Sequence, residues 1–88
     1  MRRAHIKVTD SELAILEILW RGGDFTVRDL ADELYPDGGV SGYATVQILL
    51  QRLERKKCIK RDSRQRVHVY CAAAGREKII VGHLQHLG

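Results

Sequence analysis

Ser41-Gly42-Tyr43-Ala44-Thr45-Val46-Gln47-Ile48-Leu49-Leu50-Gln51-Arg52-Leu53-Glu54-Arg55-Lys56 is the stretch that decides the fold. Val46, Leu49, Leu50 and Leu53 fall at i, i+3, i+4 and i+7, the spacing of one helical face, and predict a helix from about Gly42 to Lys56. With that stripe turned inward, Ala44, Ile48, Gln51 and Arg55 point outward, and Ser41, Thr45, Gln47 and Arg52 flank them. One helix thus carries an apolar side for a core and a side of hydrogen-bonding and basic groups.

Upstream, two more helices are legible. Thr9-Asp10-Ser11-Glu12 has the Thr-x-x-Glu spacing of a capping box. Leu13, Leu16 and Trp20 then share a face, with Ile15 and Leu19 beside them, and Arg21-Gly22-Gly23 stops the helix. Thr26 is the expected N-cap of the next helix, with Asp29 at its positive end. Val27, Leu30, Ala31 and Leu34 repeat the i, i+3, i+4, i+7 pattern, and Pro36-Asp37-Gly38-Gly39 supplies the turn that follows.

Downstream, the period changes. Ile59 opens an extended run, and Ser63-Arg64-Gln65-Arg66 is a polar, basic tip. Val67, Val69 and Cys71 alternate with His68 and Tyr70, which predicts a half-buried strand with the Val67/Val69/Cys71 side inward. A short bridge at Phe25-Thr26 is also expected. Gly75 opens a last segment, read as a short helix in which Ile80, Leu84 and Leu87 share a face. The fold class is therefore mainly α with a small β-hairpin: a winged helix-turn-helix with a three-helix core, a two-stranded wing and a short C-terminal helix. Residues 1–74 form the DNA-binding domain expected of such a fold, and 75–88 a C-terminal helix that is either a dimer contact or the start of a truncated dimerisation region.

Composition narrows the function. With 88 residues the chain is one domain, too small for a cleft between domains. It buries only about 60% of the surface its unfolded form exposes. No uncharged stretch approaches the ~20 apolar residues of a membrane span. The basic start Met-Arg-Arg-Ala-His leads into polar residues, so a cytoplasmic location is expected, with Cys58 and Cys71 reduced. The net charge of +4 is unevenly spread: residues 1–40 carry −3, residues 41–70 carry +6 and residues 71–88 carry +1. A basic block beside an acidic one points to a polyanionic partner met by one part of the fold, although a solvated basic face has the same composition.

The order helix, helix, helix, hairpin suits double-stranded DNA, whose major groove of about 12 Å admits one helix. In such folds the N-terminal residues of the second motif helix meet base edges. Gln47 and Gln51 can pair with adenine, and Ser41 and Thr45 can donate or accept. Ile48 fits a thymine methyl, and equally fits the ordinary scatter of apolar residues on a surface. Arg52, Arg55, Lys56, Arg64 and Arg66 are candidates for phosphates, and Lys57 and Lys60 for long-range attraction.

The same residues carry a family resemblance. Thr9 to Leu13, with Leu19-Trp20, resembles the opening motif of the penicillinase-repressor family, which includes the BlaI, MecI and CopY repressors. Phe25 to Leu30 resembles its second helix start, and Tyr43 to Lys56 its recognition-helix signature. Arg66-Val67-His68-Val69-Tyr70 is similar to its second wing strand. The resemblance covers roughly residues 6–72. It implies a bacterial transcriptional repressor that binds a palindromic operator as a homodimer. Tyr43 and Ala44 complete the DNA-contacting set. The stripe of Ile80, Leu84 and Leu87 either packs back on the chain's own first helix or, the reading favoured, pairs with the same segment of a second chain as a dimer contact.

The departures are specific. The family's multi-helix dimerisation region would have to be short or missing, since the sequence ends at Gly88. The sequence contains no Asn, so the Asn-Phe bond cleaved in antibiotic-responsive members is absent from these residues, as are the Cys-x-Cys pairs of the copper-responsive branch. Lys57 stands where the family usually has Gly after the recognition helix. A metal-responsive regulator could draw on His68, His83, His86, Cys58 and Cys71, but no ligand spacing supports it, and Cys58 and Cys71 read more simply as core residues. A winged-helix protein-protein interaction module, its basic face on an acidic protein, is the other alternative. No nucleophile with its base and no phosphate-binding Gly-rich loop is present, so no enzyme, cofactor or small-molecule substrate is expected.

Overall fold

The structure is a computed structural model that describes residues 5–64 and 66–82. Its elements in chain order are β1 (Ile6–Val8), α1 (Asp10–Leu19), α2 (Val27–Leu34), α3 (Gly39–Arg55), β2 (Ile59–Asp62), β3 (Val69–Ala72), a single 3-10 turn (Arg76–Lys78) and β4 (Ile79–Val81). The three helices and the β2–β3 hairpin form a winged helix-turn-helix.

The expected capping box of α1 forms, and the expected N-cap of α2 is part of a second one. Thr9 Oγ1 accepts from the Glu12 amide at 3.2 Å while Glu12 Oε1 accepts from the Thr9 amide at 2.9 Å. Thr26 and Asp29 reciprocate in the same way at 3.1 and 3.0 Å. Two orphan donors are thus satisfied at each helix start. The stripes then meet in one core of Ile15, Leu16, Leu19, Leu30, Val46, Leu50 and Leu53, each 2% exposed or less. Fully burying an aliphatic side chain of this size contributes about 2 kcal/mol.

The hairpin pairs β2 and β3 antiparallel, Ile59 opposite Ala72 and Asp62 opposite Val69. Phe25 adds the expected bridge: its amide donates to the Tyr70 carbonyl at 3.0 Å and its carbonyl accepts from the Tyr70 amide at 2.7 Å. The inward side of β3 is a first correction. Tyr70 is the buried member of β3, whereas Val67 lies outside the strand and is 57% exposed. Cys71 is half-buried on the outer side of the hairpin, and only Cys58 belongs to the core. The hairpin lays its Ile59 and Tyr70 side on the helical core and turns Cys71 to the other side, the reverse of the phase that alternation alone suggests.

The last segment is a second correction. After the 3-10 turn, Ile79–Val81 is a strand and pairs in parallel with β1, Ile6 opposite Ile79 and Val8 opposite Val81. Three consecutive β-branched residues favour extended backbone, and β1 offers them a partner. Ile80 sits on this strand and is 41% exposed; Leu84 and Leu87 lie outside the described residues. Trp20 fastens the approach to the strand. Its indole N–H donates to the Ala74 carbonyl at 2.8 Å, and the Arg76 guanidinium lies 4.5 Å from its ring centroid.

The third helix starts three residues earlier than its apolar stripe indicates. Gly39, at φ +55°, turns the chain into the helix, a conformation that suits Gly. Gly42 then packs so close to Tyr35 that a Cβ there would lie 2.9 Å from the Tyr35 Cβ.

Candidate nucleic-acid interface

The inward stripe of α3 fixes what remains outside. Ser41, Ala44, Thr45, Gln47, Gln51, Arg52 and Arg55 are exposed, Ile48 is 51% exposed and Tyr43 37%. They form one continuous face, with Arg52 and Arg55 in the last turn of the helix. Thr45 Oγ1 donates to the Ser41 carbonyl at 2.9 Å, which orients the hydroxyl along the helix and leaves its lone pairs outward. Among the described residues, no carboxylate pairs with Arg52, Arg55 or Arg66.

Two of the expected cations have protein partners. Lys56 Nζ donates to Glu12 Oε1 at 2.6 Å and to the Lys7 carbonyl at 2.9 Å. The Glu12 side chain is 1% exposed and that of Lys56 34%. The Lys56 ammonium therefore faces the body of the domain and ties the end of α3 to α1 and β1. Arg64 is held by Asp62, and this pair lowers the Asp62 carboxyl to a pKa of about 2, chiefly through the hydrogen bond from the guanidinium.

The C-terminal end of α3 closes in a Schellman motif. The Cys58 amide donates to the Leu53 carbonyl at 2.9 Å, and the Lys57 amide to the Glu54 carbonyl at 3.0 Å. Lys57 accepts the left-handed conformation at φ +65°, where Gly would be unstrained. Burial pushes the Cys58 thiol above its ordinary pKa, so it packs as an apolar group.

Val40 was missed by the sequence reading. It stands in the first turn of α3 and is 88% exposed. An apolar side chain so open at the start of such a helix is a signal, but it could be seen only once the helix was known to begin at Gly39. Val40 and Tyr43 line one side of a groove of about 450 Å³ against Arg28, Ala31, Asp32 and Tyr35 of the second helix and its end. Among the described residues, no group of three or more His, Cys, Asp or Glu side chains could hold a metal ion, and no helix is long and apolar enough to cross a membrane.

The sequence matches the penicillinase repressor family over residues 8–87. The chain belongs to this family. Solved structures agree on the fold: the solution structure of the DNA-binding domain of the repressor BlaI superposes with a TM-score of 0.71 at 23% identity, covering 90% of this chain and 95% of that one. No curated protein matched the sequence. This penicillinase repressor family member thus keeps the family's helical motif and wing while placing Lys57 in the left-handed position after α3.

Proposed function

We propose that the chain is a transcriptional repressor that binds double-stranded DNA, with α3 in the major groove and the wing on the backbone. The observation that carries this reading is the outer face of α3. It gathers donors and acceptors at Ser41, Thr45, Gln47 and Gln51 and ends in Arg52 and Arg55, with no carboxylate among the described residues paired to either arginine. Family membership and likeness to a DNA-binding domain support it. Ser41, Tyr43, Ala44, Thr45, Gln47, Ile48 and Gln51 face the bases, and Arg52, Arg55, Arg64 and Arg66 reach phosphates. Such a ligand puts the protein in the cytoplasm.

A palindromic operator calls for a homodimer, one α3 for each half-site. The exposed Ile80 of β4 is where residues 75–88 would begin such a contact, with Leu84 and Leu87 further along the chain. Sedimentation at micromolar concentration tests this, and a monomer with and without a two-half-site duplex removes the symmetric arrangement.

Fluorescence anisotropy against duplex DNA over a range of salt tests the main reading. Binding should weaken steeply with salt, because counterions released into a more concentrated solution gain less entropy. Arg66→Ala should weaken all duplexes alike and reduce the salt slope by about 1, whereas Gln47→Ala should relax preference at one base position. Binding to duplex DNA that neither change alters would overturn the reading. Preference for an acidic protein over duplex DNA at low salt would point instead to an interaction module.

A further inference from the structure

We propose that Asp62 is a positioning residue for DNA binding, holding Arg64 at the wing tip so that one edge of its guanidinium faces outward as a fixed pair of donors. The proposal rests on the DNA-binding reading above.

The geometry is directional. Asp62 Oδ1 accepts from the Arg64 backbone amide at 2.9 Å and from Nε at 3.1 Å, and Oδ2 accepts from Nε at 3.3 Å and Nη2 at 2.8 Å. The carboxylate therefore takes the inner edge of the guanidinium and fixes the backbone of the same residue. A guanidinium has five N–H donors in a planar fork. Using Nε and one Nη2 hydrogen leaves the end-on edge, one hydrogen from each terminal nitrogen, parallel and directed away from Asp62. The Arg64 side chain is 88% exposed and that of Asp62 34%, so the outer edge is open to a ligand.

The surroundings favour an anionic or acceptor-rich ligand. Lys60 lines the same concave side of the wing as Asp62, Arg64, Val69 and Cys71, and Asp24 is the further acidic side chain there, while Arg61 is paired with Glu54 at 3.5 Å. A parallel donor pair matches two acceptors in a plane: the two free oxygens of a phosphate, or O6 and N7 of guanine. A flexible arginine would lose rotamer freedom on contact, and one already held by Asp62 loses less. The depressed Asp62 pKa keeps this pairing intact across the neutral range.

The sign of one substitution separates positioning from simple charge. Asp62 is an anion facing a polyanion, so if charge were its only role, Asp62→Ala would tighten DNA binding. Positioning requires the opposite. The probes are the duplex that the wild type enriches from a randomised pool and a random-sequence duplex. Both are measured at low salt and at about 0.3 M, where screening leaves little long-range repulsion. Asp62→Ala should bind about threefold to tenfold more weakly at the higher salt, with Asp62→Asn, which keeps one acceptor, in between. In an Arg64→Ala background, Asp62→Ala should bring no further loss. The thermal midpoint should stay unchanged, since both side chains are at the surface.

A loss on both duplexes identifies a phosphate as the acceptor pair, and a loss on the enriched duplex alone identifies a base edge. Tighter or unchanged binding by Asp62→Ala, or an equal loss with Arg64 already removed, overturns the proposal while the DNA reading stands. A wild type that binds neither duplex overturns both.

Discussion

The two ends of α3 are built differently. At the C-terminal end, Lys56 ties the helix to Glu12 and Lys7, and the amides of Lys57 and Cys58 close its last carbonyls. At the N-terminal end, Gly38 provides no side-chain cap, the first turn carries no acid, and Val40 stands 88% exposed. The first two helices, by contrast, begin with a carboxylate in a capping box. An anionic side chain at a helix start stabilises the helix but would repel phosphates. The difference teaches where this small domain places its rigidity: α3 is anchored at the end that carries Arg52 and Arg55 and kept open at the end that would enter the groove.

Breaking the anchor should have the largest effect. Lys56→Met removes the ammonium and leaves the Glu12 carboxylate buried beside apolar neighbours. Glu12 Oε2 already lacks a hydrogen-bond partner among the described residues, so Oε1 carries the interactions that compensate its burial. Stranding a buried charge costs 3–5 kcal/mol, and because a third of the Lys56 side chain meets solvent, about 2–3 kcal/mol is expected here. Urea unfolding checks this. Glu12→Gln combined with Lys56→Met should recover about half of the loss, because it removes the unpaired charge. A loss below about 0.5 kcal/mol for the single change would mean that water replaces the lysine and that the anchor is dispensable.

The next effect lies near the open end. Ala is the better helix former by about 1 kcal/mol, so propensity alone says that Gly42→Ala stabilises. The close approach to Tyr35 says the reverse, since the new methyl would lie 2.9 Å from the Tyr35 Cβ. Overpacking of this kind costs 1–3 kcal/mol, and a net loss of about 1 kcal/mol is expected in the same unfolding assay. A gain would show that the second helix can withdraw from α3 easily, and that the start of α3 is held less firmly than its contacts imply.

Lys57→Gly should act in the other direction. A non-Gly residue in the left-handed region carries a penalty of 1–2 kcal/mol, partly offset by the extra unfolded-state freedom of Gly, so a gain of about 0.5–1 kcal/mol is expected. The chain then meets the family's usual pattern at that position. Thermal unfolding checks it, and no gain would mean that the Lys57 side chain makes up for its own strain.

These contrasts also mark what could be read without coordinates. The helices were legible because their signals are local: Thr9 with Glu12, Thr26 with Asp29, and the Val46/Leu49/Leu50/Leu53 stripe all lie within two turns. The outer face of α3 followed from the inner one. β1 and β4 left no trace, because three-residue strands paired across 73 positions have no period of their own. The phase of β3 failed for a related reason: packing of the hairpin on helices distant in sequence decides that the Tyr70 side is inside. The roles of Lys56 and Asp62 escaped because a long or charged side chain near the surface acquires its meaning from its partner. Glu12 was visible as a cap, while its second bond, to Lys56, depends on how α1 crosses the end of α3.

The smallest effect on stability should come from Val40, and it sharpens the comparison most. At 88% exposure its side chain packs against almost nothing, so Val40→Ser should shift unfolding by less than about 0.5 kcal/mol. Binding should respond differently if the open end of α3 meets base edges. Loss of the apolar contact would weaken the preferred duplex by about 1 kcal/mol and relax its preference at a thymine, leaving the salt slope unchanged because no charge is removed. Lys57→Gly, at the anchored end, should show the converse pattern: altered stability and unaltered sequence preference. Parallel unfolding and anisotropy measurements on these two variants compare the ends directly. If Val40→Ser leaves both measurements untouched, the first turn of α3 stands clear of the DNA, and the reading face of the helix begins at Tyr43 or beyond.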